Sequence, residues 1–348
     1  MQKSWRRDIV VIGASVGGVE ALRRLMALLP ANLPASIFVT LHIARDFPSV
    51  LPQILSANGR VVQHPSTGQE FSPGQIFVAP PDHHLSIQRS RVVLGNGPRE
   101  NRHRPSIDVM FRSAARAYGP RVAGIVLTGR LDDGSSGLMS VKMAGGLTIV
   151  QDPEEALAPE MPQHAIQYVE PDFVLPIAKI AELLISVSSE NLPSPATPRK
   201  MMAGEPSGNK LEPSVAEITT ILNKGKPSSF ACPECHGVLW EIENGKLVSF
   251  RCRVGHAYTG DSLRVAFSEN AENALWVALR VIEEKTALLR RLAQKAGPRI
   301  SATYEDEAAG LDLHTETLRR LLSGNQDLVV TEMGSSEESA RSTLEKAG

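Results

Sequence analysis

The stretch DIVVIGASVGG, residues 8–18, decides the fold, because it joins an apolar, β-branched run to a glycine-rich turn. A short run of this kind that ends in glycine is typical of a buried strand in a parallel sheet. After the turn, apolar residues recur at helical spacing from Val19 to Leu29, and Pro30 then ends the pattern. The stretch therefore predicts a strand, a tight turn and a helix, which is the repeating unit of parallel α/β sheets.

The same alternation continues outward from this unit to about residue 186. Apolar runs and helical periodicity predict further strands at 35–41, 75–79, 122–128, 147–151 and 173–175, and helices at 106–118, 136–143, 162–168 and 178–187. Two more short strands, 85–88 and 91–94, are expected to pair as a hairpin. We therefore expect an α/β domain over residues 1–188, with a doubly wound, mostly parallel sheet and helices on both faces.

The rest of the chain differs in composition. Residues 189–228 are rich in Ser, Pro, Gly and charge, which predicts a flexible linker. All three cysteines lie in residues 229–260, which predicts a small Cys-rich ribbon. Residues 261–325 carry apolar side chains at helical spacing, so we expect a helical region there, followed by a disordered tail at 326–348.

Charge, hydropathy and cysteine count argue against several classes of function. The formal net charge of -1 provides no overall basic field for nucleic acid, and no apolar run reaches the roughly 18 residues that a membrane span needs. Three cysteines are an odd number for a disulfide framework, and the apolar run near the N-terminus is too short for a secretory signal. We therefore expect a cytoplasmic protein with no nucleic-acid partner and no membrane insertion.

The turn after the first predicted strand carries the first candidate for chemistry. Ser15 fits the pattern G-x-S-x-G between a strand and a helix, where a tight turn exposes the hydroxyl. The N–H groups of Val16 and Gly17 lie at the start of the helix and are suited to stabilising an oxyanion. The alternative is a nucleotide phosphate cradle, but no Gly-Lys-Ser/Thr follows. A dinucleotide site would also need an acidic residue after the second strand, where this chain has His42.

Two further candidates follow other predicted strands. His42 comes directly after the second strand, and adjacent strand ends meet beside one crevice, so it is a candidate general base for Ser15. Asp132 and Asp133 follow the strand at 122–128, and a carboxylate there would orient the imidazole. An aspartate that only caps the next helix is the alternative for either residue, and the pattern alone does not choose between them.

Six segments occur in fixed order along the predicted α/β domain: IGASVGG (12–18), LHIARDFPSVL (41–51), GQIFVAPPDHHL (74–85), RPSIDVMFRSAA (104–115), VLTGRLDDGSSGL (126–138) and IVQDPEEALAPEMPQHAI (149–166). Together they resemble the CheB-type protein-glutamate methylesterases of bacterial chemotaxis. The resemblance implies that the family's serine, histidine and aspartate are Ser15, His42 and Asp133. It further implies hydrolysis of glutamate methyl esters, deamidation of glutamines, and no cofactor for catalysis.

The resemblance also implies partners, and the chain departs from the family pattern at three places, of which the active-site loop carries a change of charge. We expect a methyl-accepting chemoreceptor or a similar signalling protein as substrate, and a receptor methyltransferase as a further partner. We expect no receiver domain ahead of the predicted catalytic domain, and therefore no control by receiver phosphorylation. The family usually has Gly-Met-Gly where this chain has Gly129-Arg130-Leu131, so the active-site loop gains the charge of Arg130. This departure supports one alternative function, a weak or inactive adaptor that binds signalling partners through its C-terminal module.

The cysteine-bearing segment has the spacing of a metal site. Cys232 and Cys235 form a C-x-x-C pair, and after sixteen intervening residues Cys252 and His256 form a C-x-x-x-H pair. Three thiolates and one imidazole suit tetrahedral zinc and leave no open position, so we expect a structural zinc ion. The alternatives are a metal-free ribbon and a redox motif, but the βαβ context of a redox motif is missing.

Overall fold

The computed structural model describes residues 6–43, 48–56, 60–190 and 215–324. Most of the expected linker, residues 191–214, and the expected tail at 326–348 lie outside the described residues. None of the helices that the structure describes is long and apolar enough to cross a membrane.

The first nine strands divide into one large sheet and one hairpin. Their bounds are β1 Ile9–Ala14, β2 Ser36–Leu41, β3 Val62–Gln63, β4 Ile76–Val78, β5 His84–Gln88, β6 Arg91–Gly95, β7 Val122–Val126, β8 Leu147–Gln151 and β9 Phe173–Leu175. Seven of them form a parallel sheet in the order β3-β4-β2-β1-β7-β8-β9, and β5 pairs with β6 as an antiparallel hairpin. Strand order reverses around β1, which places the crevice of a doubly wound sheet beside its C-terminal end.

Helices cover both faces of the parallel sheet, as the alternation predicted. They are α1 Gly18–Leu28, α2 Leu51–Leu55, α3 Ile107–Tyr118, α4 Ser135–Met143, α5 Glu160–Val169 and α6 Ile177–Ser189. Strand β1 is buried throughout, with Val10 and Ile12 in a core shared with α1 and α6, and Ile9 and Val11 in a core shared with α3, α4 and α5. Because successive side chains of a strand point to opposite faces, one apolar run serves both cores.

A second, antiparallel sheet follows, preceded by a short helix. The helix α7 is Val215–Leu222, and the strands are β10 Lys226–Ala231, β11 Val238–Asn244, β12 Leu247–Cys252 and β13 Ala257–Thr259. We call β10 to β13 with their connecting loops the ribbon. Residues 215–228 were expected within the linker, but the structure has the helix α7 and the start of β10 there. Ile218, Ile221 and Leu222 are buried, and these apolar contacts outweigh the polar composition around them.

Two long helices end the described chain, α8 Gly260–Ala293 and α9 Pro298–Gly324. Both lie in the region expected to be helical, and the second begins at Pro298, which suits the first turn of a helix. Ion pairs of exposed side chains join the two helices, among them Lys285 with Glu307. By their contacts, the described residues up to Leu263 form one compact unit and those from Arg264 form another. The division into five segments proposed from the sequence stays a prediction.

Candidate active site

Strand register places Ser15 and His42 side by side. Ala14 and Leu41 are partners at the ends of β1 and β2, so the next residue of each strand continues at the same level. The backbone confirms this placement, because the His42 N–H donates to the Ala14 carbonyl oxygen at 3.2 Å. On the other side, the Ser15 N–H donates to the Thr128 carbonyl oxygen at 3.0 Å, which ties the serine turn to the segment after β7.

Three side chains form a continuous hydrogen-bonded series at this edge of the sheet. Ser15 Oγ lies 3.1 Å from His42 Nδ1, and His42 Nε2 lies 2.8 Å from Asp133 Oδ2. The side chains of His42 and Asp133 are only 6% and 2% exposed. If Nε2 carries the proton and forms a hydrogen bond to Asp133, Nδ1 has a lone pair that can accept a hydrogen bond from the serine hydroxyl. The geometry thus suits transfer of the Ser15 proton to His42.

Several donors surround the Asp133 carboxylate. It accepts hydrogen bonds from the Ile107 N–H at 2.8 Å, the Ser106 hydroxyl at 3.0 Å and the Asn101 side-chain amide at 2.9 Å. Burial opposes ionisation of Asp133, but the hydrogen bond and charge of His42 outweigh it and hold the pKa of Asp133 well below its usual range. The N-terminus of α3 adds a favourable partial charge. Asp133 is therefore anionic at neutral pH and can stabilise a protonated His42.

The neighbouring acidic residues are placed differently. Asp132 accepts a hydrogen bond from the Thr259 hydroxyl at 2.7 Å and has no bond to His42 among the described contacts. Asp108 accepts bonds from the N–H groups of Gly134 and Gly137 and from Asn101. Burial, and then the charge of Asp133, raise the pKa of Asp108 to about 8. Asn101 donates one N–H to a carboxyl oxygen of each of Asp108 and Asp133, so it bridges the two acidic side chains.

His103 lies flat against His42. The two ring centroids are 3.5 Å apart and the planes differ by 10°. Burial, and then the charge of His42, lower the pKa of His103 to about 3, so its ring is neutral at ordinary pH. His103 belongs to a tight turn in which Asn101 and Arg102 both have positive φ angles. Neither His103 nor Asn101 was predicted as a site residue from the sequence, in which the one available signal was an asparagine suited to left-handed backbone.

The candidate oxyanion donors lie at the start of α1. The backbone N–H groups of Val16 and Gly17 donate to no protein acceptor among the described residues. Gly17 has φ +76° at the N-terminal cap of α1, a conformation that favours glycine. These two N–H groups, at a helix N-terminus and beside Ser15, are suited to an oxygen that becomes negative during reaction.

The loop with the sequence departure is packed closely against the serine. A Cβ on Gly129 would overlap the Met161 sulfur and lie 2.8 Å from Ser15 Cβ, so only glycine fits between them. Met161 is fully buried. Arg130, which follows Gly129 in the chain, is exposed. A methionine thus lies near the serine although the family's usual Gly-Met-Gly is absent.

A cleft of about 330 Å³ opens beside His42 and His103. Three arginines line it, namely Arg99, Arg102 and Arg104. Arg104 donates two hydrogen bonds to Asp82 Oδ1, at 3.0 and 2.8 Å. The cleft is therefore basic at its rim and suits an acidic protein segment more than a basic one.

The four predicted metal ligands come together in the ribbon. The ligand atoms of Cys232, Cys235, Cys252 and His256 all lie within 4.8 Å of one another, so the cluster could hold a metal ion. The Sγ atoms of Cys235 and Cys252 are 3.6 Å apart, and His256 Nδ1 is 3.5 Å from Cys252 Sγ. Tetrahedral zinc with its usual bond lengths requires ligand separations of about 3.5–3.8 Å. The donor set and its spacing therefore fit the ion.

An all-parallel, doubly wound sheet with a serine, a histidine and an aspartate at its strand ends is the arrangement of α/β serine hydrolases. Within that class, the CheB methylesterase family model matches residues 10–184. The chain therefore belongs to the CheB methylesterase family.

Individual relatives agree with this assignment. The chain is 36% identical over 195 residues to protein-glutamate methylesterase/protein-glutamine glutaminase 2 of Methanosarcina mazei, a match that covers 53% of each chain. A putative protein-glutamate methylesterase/protein-glutamine glutaminase of Leptospira interrogans is also 36% identical, and 97% of it is covered. The crystal structure of the Thermotoga maritima CheB methylesterase catalytic domain is 35% identical, with a TM-score of 0.50 over 53% of this chain and 98% of that one. The chain spans about half the length of the first of these curated relatives.

Proposed function

We propose that this protein hydrolyses glutamate methyl esters on a signalling protein, releasing methanol and leaving a glutamate carboxylate. The observation that carries the proposal is the hydrogen-bonded series from Ser15 Oγ through His42 to Asp133, with separations of 3.1 and 2.8 Å. The names of the relatives from Methanosarcina mazei and Leptospira interrogans support the same chemistry. Deamidation of glutamine side chains at the same site is part of the proposal, since an amide differs from an ester only in the leaving group.

The proposed mechanism assigns one role to each group. His42 Nδ1 takes the proton of Ser15 while Oγ attacks the ester carbonyl carbon, and the N–H groups of Val16 and Gly17 stabilise the resulting oxyanion. His42 then protonates the methoxide, which leaves as methanol, and a glutamyl ester of Ser15 remains. A water molecule, deprotonated by His42, attacks this ester and restores the serine. Asp133 holds the imidazole in the required tautomer throughout.

The proposed substrate is a helical segment of a methyl-accepting chemoreceptor or a similar signalling protein. The arginine-lined cleft beside His42 supports an acidic partner, because a segment that is methylated on glutamates carries further carboxylates. A receptor methyltransferase would supply the ester and act on the same protein. The proposed location of this reaction is the cytoplasm.

A structural zinc ion in the ribbon is also part of the proposal. The Cys232, Cys235, Cys252 and His256 set would fill all four tetrahedral positions, so the ion would have no site for substrate. Glu234 supports this assignment, because its carboxylate lies 3.2 Å from His256 Nε2 and would orient a ring that binds metal through Nδ1. The ion would then stabilise the fold of the ribbon and would take no part in the reaction.

Methanol release from a methylated receptor fragment tests the function. We expect Ser15→Ala to lower kcat by about 10³-fold or more, because the nucleophile is lost. Ser189→Ala, an exposed serine at the end of α6, is the matched control and should leave release unchanged. Equal and negligible release from the wild type and Ser15→Ala would contradict an esterase and favour the adaptor function instead.

A further inference from the structure

The ribbon makes direct contact with the tight turn beside the candidate active site. We call residues 99–104 the active-site turn. The backbone N–H of Asn101 donates to the Ala257 carbonyl oxygen of β13 at 2.8 Å. The Ala257 N–H in turn donates to the Arg99 carbonyl oxygen at 3.4 Å. The turn thus extends the edge of the ribbon's sheet, with Glu100 bridged to Ala257. A small cavity of about 40 Å³ lies between these elements, lined among others by Glu100, Asn101 and Ala257.

The side chain of Asn101 connects the ribbon to the catalytic carboxylate. Its oxygen accepts hydrogen bonds from the Thr259 N–H at 3.0 Å and the Ser262 hydroxyl at 3.1 Å. Its nitrogen donates to Asp133 Oδ1 and to Asp108 Oδ2, each at 2.9 Å. The amide is 3% exposed, and both of its N–H groups and both lone pairs are used. The two bonds from the ribbon side therefore fix which way the N–H groups point, and they point at Asp133.

A buried charge cluster holds the same turn from another side. Glu100 lies between Arg112 of α3, at 2.5 Å, and Arg251 of β12, at 3.1 Å. Arg251 also donates to the Gly255 carbonyl oxygen at 3.1 Å, within the loop between the last two metal ligands. Burial opposes ionisation of Glu100, but the charges of Arg112 and Arg251 outweigh it and lower its pKa to about 2. The turn is thereby fastened both to the helix that supports Asp133 and to the metal loop.

A third contact reaches the residue next to Asp133. The Thr259 hydroxyl donates to Asp132 at 2.7 Å. The same hydroxyl accepts a hydrogen bond from the Ser262 N–H at 3.3 Å, so Thr259 caps the first turn of α8. Thr259 follows Ala257 by two residues, and Ala257 directly follows the metal ligand His256. Cys252 and His256 bound the loop between β12 and β13, and the Cys252 N–H donates to the His256 carbonyl oxygen at 3.0 Å. An ion held by both residues would fix this loop, and with it the register of β13.

We propose that the metal-loaded ribbon is a positioning element of the catalytic site, acting on Asp133 through Asn101 and Thr259. The inference rests on the esterase function proposed above. Neither residue touches the reacting atoms. Asn101 donates to Asp133, the carboxylate that orients His42, while Thr259 donates its N–H to Asn101 and its hydroxyl to Asp132, the residue next to Asp133. Loss of the metal would loosen β13, free the Asn101 amide to rotate, and leave Asp133 and Asp108 without their shared donor. Catalysis would then depend on a metal that takes no part in the reaction.

The test compares full-length protein loaded with zinc with the same protein after treatment with a chelator. We expect chelation to lower kcat for methanol release by about 10–100-fold, the range typical of lost supporting contacts, with KM changed little. A second readout is the low-field proton resonance of the His42 Nε2–H bonded to Asp133. It should be present in the zinc-loaded protein and broadened or lost without zinc. Re-addition of zinc should restore both signals.

Variants with intact metal ligands separate positioning from simple loss of folding. Asn101→Ala and Thr259→Val should lower kcat and weaken the low-field resonance while zinc content stays equal to that of the wild type. Thr259→Ser keeps the hydroxyl and should retain wild-type values. Lys246→Ala, which removes an exposed ion pair between the ribbon and Glu170, is the control on the same module and should have no effect.

The outcomes separate this inference from the function on which it rests. Absence of methanol release from zinc-loaded wild type would contradict the proposed function itself. Release that proceeds at the same kcat, with the same low-field resonance, in chelated protein and in Asn101→Ala would overturn the positioning role and leave the esterase intact. If chelation unfolds the chain, Thr259→Val against Thr259→Ser decides, and equal kcat for that pair would overturn the inference.

Discussion

The two halves of the candidate site are built in different ways. Ser15 and His42 follow directly from adjacent parallel strands, whose register of Ala14 with Leu41 brings them together. Asp133 lies in a loop and is held by side chains from distant parts of the chain, including Asn101. The relative position of Ser15 and His42 therefore depends on the pairing of two buried strands of the core. The loop half depends on long-range polar contacts and, by the positioning role proposed above, on the metal site of the ribbon.

The largest effect should come from the loop half. We expect Asp133→Asn to lower kcat by about 10³–10⁴-fold, because the amide would favour the wrong tautomer of His42 while keeping the shape of the side chain. Steady-state methanol release at neutral pH measures the loss. Asp132→Asn, which retains an acceptor for Thr259, is the matched control and should cost far less. Equal losses in the two variants would contradict the choice of Asp133.

A second prediction concerns stability where the ribbon meets the active-site turn. The pKa of Glu100 is lowered from 4.5 to about 2, so its stabilisation is complete above pH 4.5 and disappears as the pH falls through 2. We expect Glu100→Gln to lower the free energy of unfolding by about 3 kcal/mol at neutral pH. The difference from wild type should shrink as the pH is lowered from about 5 towards 2. Denaturant unfolding of zinc-saturated protein at several pH values measures it.

The control for this prediction is an exposed ion pair in the same chain. Glu70 lies 3.1 Å from Arg91, and both side chains are well exposed. Glu70→Gln should therefore change the free energy of unfolding by less than about 1 kcal/mol at any pH. A pH-independent difference between Glu100→Gln and wild type would show that ionisation of Glu100 does not stabilise the interface.

The smallest effect should come from the sheet half. A Cβ on Gly129 would crowd Met161 and Ser15, so Gly129→Ala should displace the serine and lower kcat by about tenfold. Because this displacement does not pass through the ribbon, the ratio of zinc-loaded to chelated activity should equal that of wild type. Gly310→Ala, in open space on α9, is the control. If the ratio of zinc-loaded to chelated activity differs between Gly129→Ala and wild type, the two halves of the site are coupled more closely than their contacts indicate.

Much of the fold and half of the site could be predicted from local sequence. Buried apolar runs predicted the strands of the parallel sheet, and the position of His42 after the second strand predicted its approach to Ser15. The choice between Asp132 and Asp133 could not be made from the pattern, because both follow the same strand and only tertiary contacts distinguish them. His103 and Asn101 were missed for the same reason, since their roles come from a turn held against β13.

The C-terminal part shows the same limit. The spacing of the cysteines and His256 predicted the cluster, because four ligands in two short pairs need little more than a hairpin to meet. It could not predict that the hairpin packs on the active-site turn, since Arg251 and Glu100 are far apart in sequence and neither has a distinctive local pattern. The polar composition of residues 189–228 predicts a linker, but the structure has the helix α7 within this range, where Ile218, Ile221 and Leu222 are buried.

Mass spectrometry of the covalent intermediate tests the central claim most directly. Full-length protein is mixed with a methyl-esterified receptor peptide, quenched in acid within the first turnover, and digested. We predict a fragment containing Ser15 that carries the peptide mass less methanol, and its absence from Ser15→Ala. Methanol release without any such adduct, or an adduct on another residue, would contradict the account.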